Sequence, residues 1–153
     1  MYKQIFLKRG KEESLKRFHP WIFSGAIHHM DEGIEEGETV RVITAAGEFI
    51  AVGHYQIGSI AVRVLSFEDI EINTDFWCDR LQSALDVRIG VGIADSPTNN
   101  TYRLVHGEGD YLPGLVIDCY GSTAVMQAHS VGMHVCRNEI CQALVQVMGD
   151  RIA

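Results

Sequence analysis

Alternating hydrophobic and polar positions in the first seventy residues predict a β-rich unit. The run 2–8 alternates well enough for a strand, and three further runs, at 38–45, 48–55 and 60–66, are strand-like. Good helix formers at 11–18 predict a short helix, which Pro20 should end near Phe18. Short strands joined by glycine-containing turns favour a small antiparallel barrel or sheet over residues 1–70.

The pattern changes to helical spacing near residue 73. Asn73 or Thr74 can cap a helix there, and Asp75 suits the positive end of its dipole. Gly90 and Gly92 should end this helix. The residues that fall near one of its faces are Trp77, Leu81, Ala84, Leu85 and Arg88.

The rest of the chain predicts an α+β unit over residues 73–153. After a loop at 95–100, strands are predicted at 102–107, 114–120 and 122–128, and Gly121 joins the last two as a hairpin. A second helix is predicted over 130–149 from its apolar stripe of Met133, Cys136, Ile140, Ala143, Leu144 and Val147. No further strand is predicted to cover the edge of this unit's sheet. The exposed edge could therefore pair with a second copy of the chain.

Composition indicates a globular cytoplasmic protein. Hydrophobic residues make up 46% of the 153 positions and charged residues 22%. No apolar run approaches the roughly 18 residues that a membrane span needs, and the N-terminus lacks the apolar stretch of a secretory signal. In that compartment we expect reduced and mostly buried thiols at Cys78, Cys119, Cys136 and Cys141.

Charge is distributed unevenly along the chain. The formal net charge is −7, which argues against an indiscriminate nucleic-acid binder. Residues 1–30 nevertheless carry six lysines and arginines against two glutamates, and all four lysines lie within the first sixteen residues. A local basic patch of this kind can bind phosphates, although a solvated surface is the other interpretation.

The segment "LKRGKEESLKRFHPWIFSGAI" (7–27) combines these cations with aromatic side chains. Lysine and arginine neutralise phosphate, an exposed ring can stack on an unpaired base, and a hydroxyl can contact phosphate oxygens. Trp21 and Phe23 alternate, so we expect one to pack inward and the other to stay accessible; alternatively both fill the core with Ile27. The candidate RNA-binding residues are Lys8, Arg9, Lys11, Lys16, Arg17, His19, Trp21, Phe23 and Ser24.

Other candidate chemistry has weaker support. His106, Glu108 and Asp110 in "HGEGDYLPG" could serve a small enzyme as an acid/base set, but the same residues are ordinary turn formers. The nearby residues His129, His134, Cys136 and Cys141 do not have the spacing of a helical metal site. No glycine loop lies between a strand and a helix, so no cofactor site is predicted within the chain.

The residues now support a resemblance to a known family. "LKRGKEESLKRFHPWIFSGAI" and "GEFIAVGHYQIGSIAVRVLS" resemble the N-terminal PUA domain of bacterial S-adenosylmethionine-dependent methyltransferases that modify a cytosine at C5 in large-subunit rRNA. "DRLQSALDVRIG", "YRLVHGEGDYLPGLVIDCYG" and "AHSVGMHVCRNEICQAL" look like the start of that family's central α+β domain. The similarity covers nearly all of the chain.

The resemblance implies a PUA-like β-barrel followed by an incomplete α+β domain, with large-subunit rRNA as partner. The Rossmann-type domain of the family, which carries the S-adenosylmethionine loop and the cysteine nucleophile, has no counterpart here. The chain is therefore expected to be the non-catalytic, RNA-recognition part of a longer enzyme. The alternatives are a stand-alone PUA-type RNA-binding adaptor and the small enzyme that uses His106, Glu108 and Asp110.

Overall fold

The computed structural model describes all 153 residues as two compact units. The first comprises residues 1–71 together with 130–135, and the second comprises residues 72–129 together with 136–153. The segment 130–135, which the sequence places in the second domain, therefore packs within the first unit.

Six strands form one sheet in the first unit, in the spatial order β2-β6-β5-β4-β1-β3. They are β1 (Lys3–Leu7), β2 (Trp21–Phe23), β3 (Ile27–Met30), β4 (Thr39–Ile43), β5 (Phe49–Tyr55) and β6 (Ile60–Ser66). β1 and β4 run parallel, and the other neighbouring pairs are antiparallel. The predicted all-antiparallel sheet is thus wrong for one pair, because the long segment between β1 and β4 allows a crossover connection.

The core of this unit lies against the strands of its sheet. In β1 and β4 buried apolar residues alternate with partly exposed ones, whereas β5 and β6 are buried over most of their length. The buried cluster consists of Ile5, Leu7, Leu15, Ile22, Val40, Val42, Ala51, Val62 and Val64. Since these residues come from five of the six strands and one helix, the cluster fixes the position of the outward-facing residues between them.

Four α-helices are present in the chain. They are α1 (Glu13–Lys16), α2 (Thr74–Gly90), α3 (Val131–Val135) and α4 (Arg137–Met148). The helix predicted at 11–18 is shorter than expected: Phe18 adopts a left-handed conformation with φ 63°, and its N–H donates to the carbonyl of Leu15 over 2.9 Å. A left-handed residue ends an α-helix, so α1 stops before Pro20 can act on it.

The second unit contains a three-stranded antiparallel sheet and the helices α2 and α4. Its strands are β7 (Thr101–His106), β8 (Leu115–Tyr120) and β9 (Thr123–Ala128), with β8 in the middle. The predicted cap of α2 is confirmed at Asn73, whose side-chain oxygen accepts a hydrogen bond from the N–H of Phe76 over 3.0 Å. Trp77 of α2 is fully buried, and its indole N–H donates to Glu139 of α4 over 3.3 Å.

The helix predicted over 130–149 is interrupted at Cys136, which leaves the helical region with ψ 3°. α3 belongs to the first unit and α4 to the second. The prediction of one continuous helix is therefore wrong, because the apolar stripe of the sequence runs through two helices that pack in different units. No helix in the chain has the length and apolar character required to cross a membrane.

Candidate nucleic-acid interface

All nine candidate RNA-binding residues lie in the first unit, on the connection from β1 through α1 to β2 and the turn after it. Eight of them are exposed, and the ninth, Trp21, is half-buried. Leu15 anchors α1 in the core and is only 2% exposed. The cations around it therefore project from a fixed backbone.

β2 separates a buried side chain from two accessible aromatic ones. Ile22 is 3% exposed, whereas Phe23 is 49% exposed and Trp21 is half-buried. Trp21 is the more buried of the two rings and Phe23 the more accessible, but neither belongs to the core cluster. The alternative in which both fill the core is wrong, because Phe23 is 49% exposed.

His19, Trp21 and Phe23 form an aromatic cluster on this face. The ring centroids of His19 lie 6.1 Å from those of both Trp21 and Phe23, and the Trp21 and Phe23 rings meet edge to face at 6.4 Å. The backbone N–H of Trp21 donates to Nδ1 of His19 over 3.1 Å. Because that bond uses the lone pair of Nδ1, it holds the imidazole beside the two larger rings.

A cavity of about 430 Å³ opens beside this cluster. We call it the aromatic cavity; it is lined by Lys11, Ser14, Leu15, Trp21, Ile22, Phe23, Gly25 and Ala26. A β-carbon on Gly25 would contact nothing within 4 Å, so this part of the rim is open. Apolar walls with a cation and a hydroxyl at the edge suit a flat ring that carries a phosphate.

A second cavity, of about 510 Å³, takes in two of the other candidates. We call it the histidine cavity; it is lined by Phe6, Leu7, Lys8, Arg9, His28, His29, Thr44, Ala45 and Gly47. Sequence reasoning missed Phe6, His28 and His29 as site residues. The feature that brings these residues together is the cross-strand pair Phe6–His29. The sequence does not reveal this pair, because the pairing of β3 with β1 is not a local pattern.

The remaining candidates line neither cavity. Lys16 forms an exposed ion pair with Glu13 over 3.4 Å, and Arg17 lies next to it on the surface. Ser24 is exposed at its side chain, while its backbone N–H donates to the carbonyl of Ser59 over 2.8 Å. An exposed pair such as Lys16–Glu13 contributes little to stability, so Lys16 can exchange its partner for a phosphate at little cost.

The residues of the alternative acid/base set, His106, Glu108 and Asp110, lie at the turn between β7 and β8 in the second unit. Asp110 forms a bidentate ion pair with Arg88, and both side chains are nearly buried, 7% and 13% exposed. The same carboxylate accepts the backbone N–H of His106 over 2.7 Å. Asp110 therefore holds the turn between β7 and β8, while Glu108 is exposed. This arrangement favours the structural interpretation of the turn over a small enzyme.

The four cysteines have no disulfide partner. The expectation that they are mostly buried is wrong, because only Cys119 is buried and Cys141 is exposed. Burial is the main reason that the pKa of Cys136 is raised to about 11, and burial also raises the pKa values of Cys78 and Cys119. A raised pKa keeps these three thiols protonated at neutral pH, which is unfavourable for nucleophilic chemistry.

Neither a metal nor S-adenosylmethionine fits the residues of this chain. No three side chains of His, Cys, Asp or Glu come together as metal ligands. Three strands are followed directly by an α-helix: the connections at 67–73 and 129–130 contain no glycine, and the connection at 8–12 contains only Gly10. A dinucleotide-type phosphate loop needs a G-x-G-x-x-G pattern in such a connection, and none of the three has it, so these residues support no chemical step that involves the cofactor.

Both units are similar to parts of known proteins. Residues 5–67 match the family model described as a PUA-like domain. The chain is 40% identical over 151 residues to ribosomal RNA large subunit methyltransferase I of Vibrio parahaemolyticus, and 37% identical over 152 residues to that of Klebsiella pneumoniae. Each alignment covers 98% of this chain and 38% of the relative, so the chain spans about two fifths of the length of these relatives.

Solved structures share the fold. A candidate SAM-dependent methyltransferase from Streptococcus mutans superposes with a TM-score of 0.82 at 22% identity, and a candidate methyltransferase in complex with SAH superposes with a TM-score of 0.81 at 22% identity. Both superpositions cover 97% of this chain and 38% of the solved chain. The fold expected from the sequence, a PUA-like unit followed by a small α+β part, is confirmed.

Proposed function

We propose that this chain, which is homologous to the N-terminal, PUA-containing portion of ribosomal RNA large subunit methyltransferase I, is the RNA-recognition part of an enzyme of that class. Its partner would be large-subunit rRNA in the bacterial cytoplasm. The methyl donor, S-adenosylmethionine, and the catalytic cysteine would belong to the part of the relatives that this chain does not cover.

The observation that carries the proposal is the aromatic cavity with its basic rim. Lys11 lines the cavity beside Trp21 and Phe23, and these rings present an accessible face instead of filling the core. Aromatic side chains stack on unpaired bases, and cations beside them neutralise the phosphates between those bases. The concentration of cations in residues 1–30 of an otherwise acidic chain supports the same interpretation.

The proposal assigns separate roles to the two predicted domains. Residues 1–70 would bind RNA through the nine candidate residues on the β1–α1–β2 connection. Residues 73–153 would link this RNA-binding domain to the catalytic part of the enzyme. In the methyltransferases that the sequence resembles, a cysteine thiolate attacks C6 of cytosine and thereby activates C5 for methyl transfer. This chain would contribute to that reaction by holding the RNA, without taking part in the chemical step.

The test is the salt dependence of RNA affinity, measured by fluorescence anisotropy with in vitro transcribed large-subunit rRNA. The doubly substituted chain Lys11→Glu, Lys16→Glu should bind at least about tenfold more weakly, and its salt slope should fall by about two units, one for each phosphate that is no longer neutralised. Arg137→Glu, at an exposed cation of the second unit, is the control for a single charge reversal. Unchanged affinity and slope in the double variant would overturn the proposal.

A further inference from the structure

The histidine cavity gathers basic groups that the proposed function does not yet use. Lys8, Arg9, His28 and His29 line it, and no carboxylate does. In a chain with a net charge of −7, a cavity lined by four basic side chains and no acidic one is a selective environment for an anion. Its volume of about 510 Å³ also lies in the range of small-molecule sites.

A fixed aromatic wall lies beside these cations. Phe6 and His29 are partners in the β1–β3 ladder, and their rings stack with centroids 4.3 Å apart and planes 11° from parallel. Ile5 and Leu7 are buried on the inner side of β1, and Phe6 lies between them, only partly buried. Lys8 directly follows the last residue of the strand. The stacked pair and Lys8 line the same cavity, so a ring and a cation face one ligand-sized space.

β3 adds backbone groups to this wall. It is an edge strand that pairs only with β1, and His28, His29 and Met30 are exposed along it. Unpaired N–H and carbonyl groups of an edge strand are available to other molecules. Phosphate and sugar oxygens are common partners of protein backbone groups in nucleic-acid complexes.

We propose that the histidine cavity holds one nucleotide of the bound RNA, with its phosphate on Lys8 and Arg9 and its base beside His29. The inference rests on the proposed function and extends it to a second nucleotide-binding position. Arg9 lines the histidine cavity and Lys11 lines the aromatic cavity. Only Gly10 lies between these two residues, so their α-carbons are at most about 7.6 Å apart. One strand of RNA can therefore occupy both cavities.

Substitutions in the two cavities separate this inference from the proposed function. Binding of single-stranded RNA of about eight nucleotides, a length within the range that small single-strand-binding domains cover, is measured by anisotropy. His29→Ala and Arg9→Ala should each weaken binding about fivefold or more, because each removes a group that stacks on the base or neutralises the phosphate. His129→Ala, at an exposed histidine of the second unit, is the matched control and should bind like the unsubstituted chain.

A conservative substitution distinguishes contact with the nucleotide from a structural effect. His29→Phe keeps a ring for stacking and should restore most of the affinity that His29→Ala removes. If Lys11→Ala weakens binding while His29→Ala and Arg9→Ala stay within twofold of the unsubstituted chain, the histidine cavity is not a nucleotide site and the proposed function stands. If the unsubstituted chain binds no RNA, both the inference and the proposed function are overturned.

Discussion

Gly132 lies directly against the imidazole of His54, so closely that a β-carbon on Gly132 would come within 2.2 Å of His54 Cγ. This approach joins α3 to β5 within the first unit. One hydrogen bond reinforces it: the N–H of Val131 donates to the side chain of Gln56, the residue after β5, over 3.1 Å. Within the segment, the N–H of Met133 donates to Ser130 Oγ over 3.3 Å. The six residues 130–135 are thus an integral part of a unit whose other residues end at position 71.

Gly132→Ala should destabilise the first unit. The added methyl group would overlap the ring of a histidine that is 2% exposed, and overpacking a closed site costs about 1–3 kcal/mol. The free energy of unfolding, measured by urea denaturation, should fall by this amount. Gly25→Ala is the control in the same unit, since its β-carbon would meet no atom within 4 Å. Equal stability of the two variants would contradict the close packing of α3 on β5.

The stability of the first unit should depend on pH through His54. Burial lowers the pKa of His54 from 6.5 to about 4 in the folded chain. Between these values the unfolded chain takes up a proton that the folded chain does not bind. The contribution of His54 to the free energy of unfolding is therefore complete above pH 6.5. It is lost as the pH falls toward 4, by about 1.4 kcal/mol per pH unit.

The measurement that checks this prediction is urea denaturation of the unsubstituted chain and of His54→Gln across that pH range. Glutamine does not titrate, so the variant should lose less stability on acidification than the unsubstituted chain. Carboxylates titrate equally in both proteins, and their contribution cancels in the difference. Parallel pH profiles for the two proteins would show that His54 is not buried in its neutral form.

Asp110→Ala should destabilise the second unit by about 3 kcal/mol, because it leaves the nearly buried Arg88 guanidinium without its carboxylate. Asp150→Asn, at an exposed carboxylate of the same unit, should change stability by no more than about 0.5 kcal/mol. Thermal denaturation of Asp110→Ala, of Arg88→Ala and of the double variant gives the coupling energy of the pair. A coupling energy near zero would contradict the structural role of Asp110.

The sequence could predict the elements whose signals are local. The strands β4, β5 and β6 are β-rich apolar runs bounded by turn residues, and α2 is preceded by a residue that can cap it, Asn73. β2 and β3 were missed because β2 has only three residues and β3 reads Ile-His-His-Met, without apolar alternation. The parallel pairing of β1 with β4 depends on contacts between distant segments, which no local pattern contains.

The candidate site was predictable in composition but not in arrangement. The basic and aromatic residues of the segment 7–27 are evident from the sequence, and all the candidates taken from it lie on one unit. Their division between two cavities follows from the fold, since His28 and His29 reach Lys8 only through the β1–β3 pairing. The break at Cys136 was likewise hidden, because the close approach of Gly132 to His54 has no sequence signal.

The most direct test of the central claim uses the two tryptophans of the chain as reporters. Trp21 lines the aromatic cavity, whereas Trp77 is fully buried in the second unit. Their indole N–H signals give two peaks in a ¹H–¹⁵N spectrum, and Trp21→Phe assigns them. When single-stranded RNA is added, the account predicts that the Trp21 signal shifts and saturates while the Trp77 signal stays in place. Saturable RNA binding that leaves the Trp21 signal unmoved would contradict the account, because the RNA would then bind elsewhere.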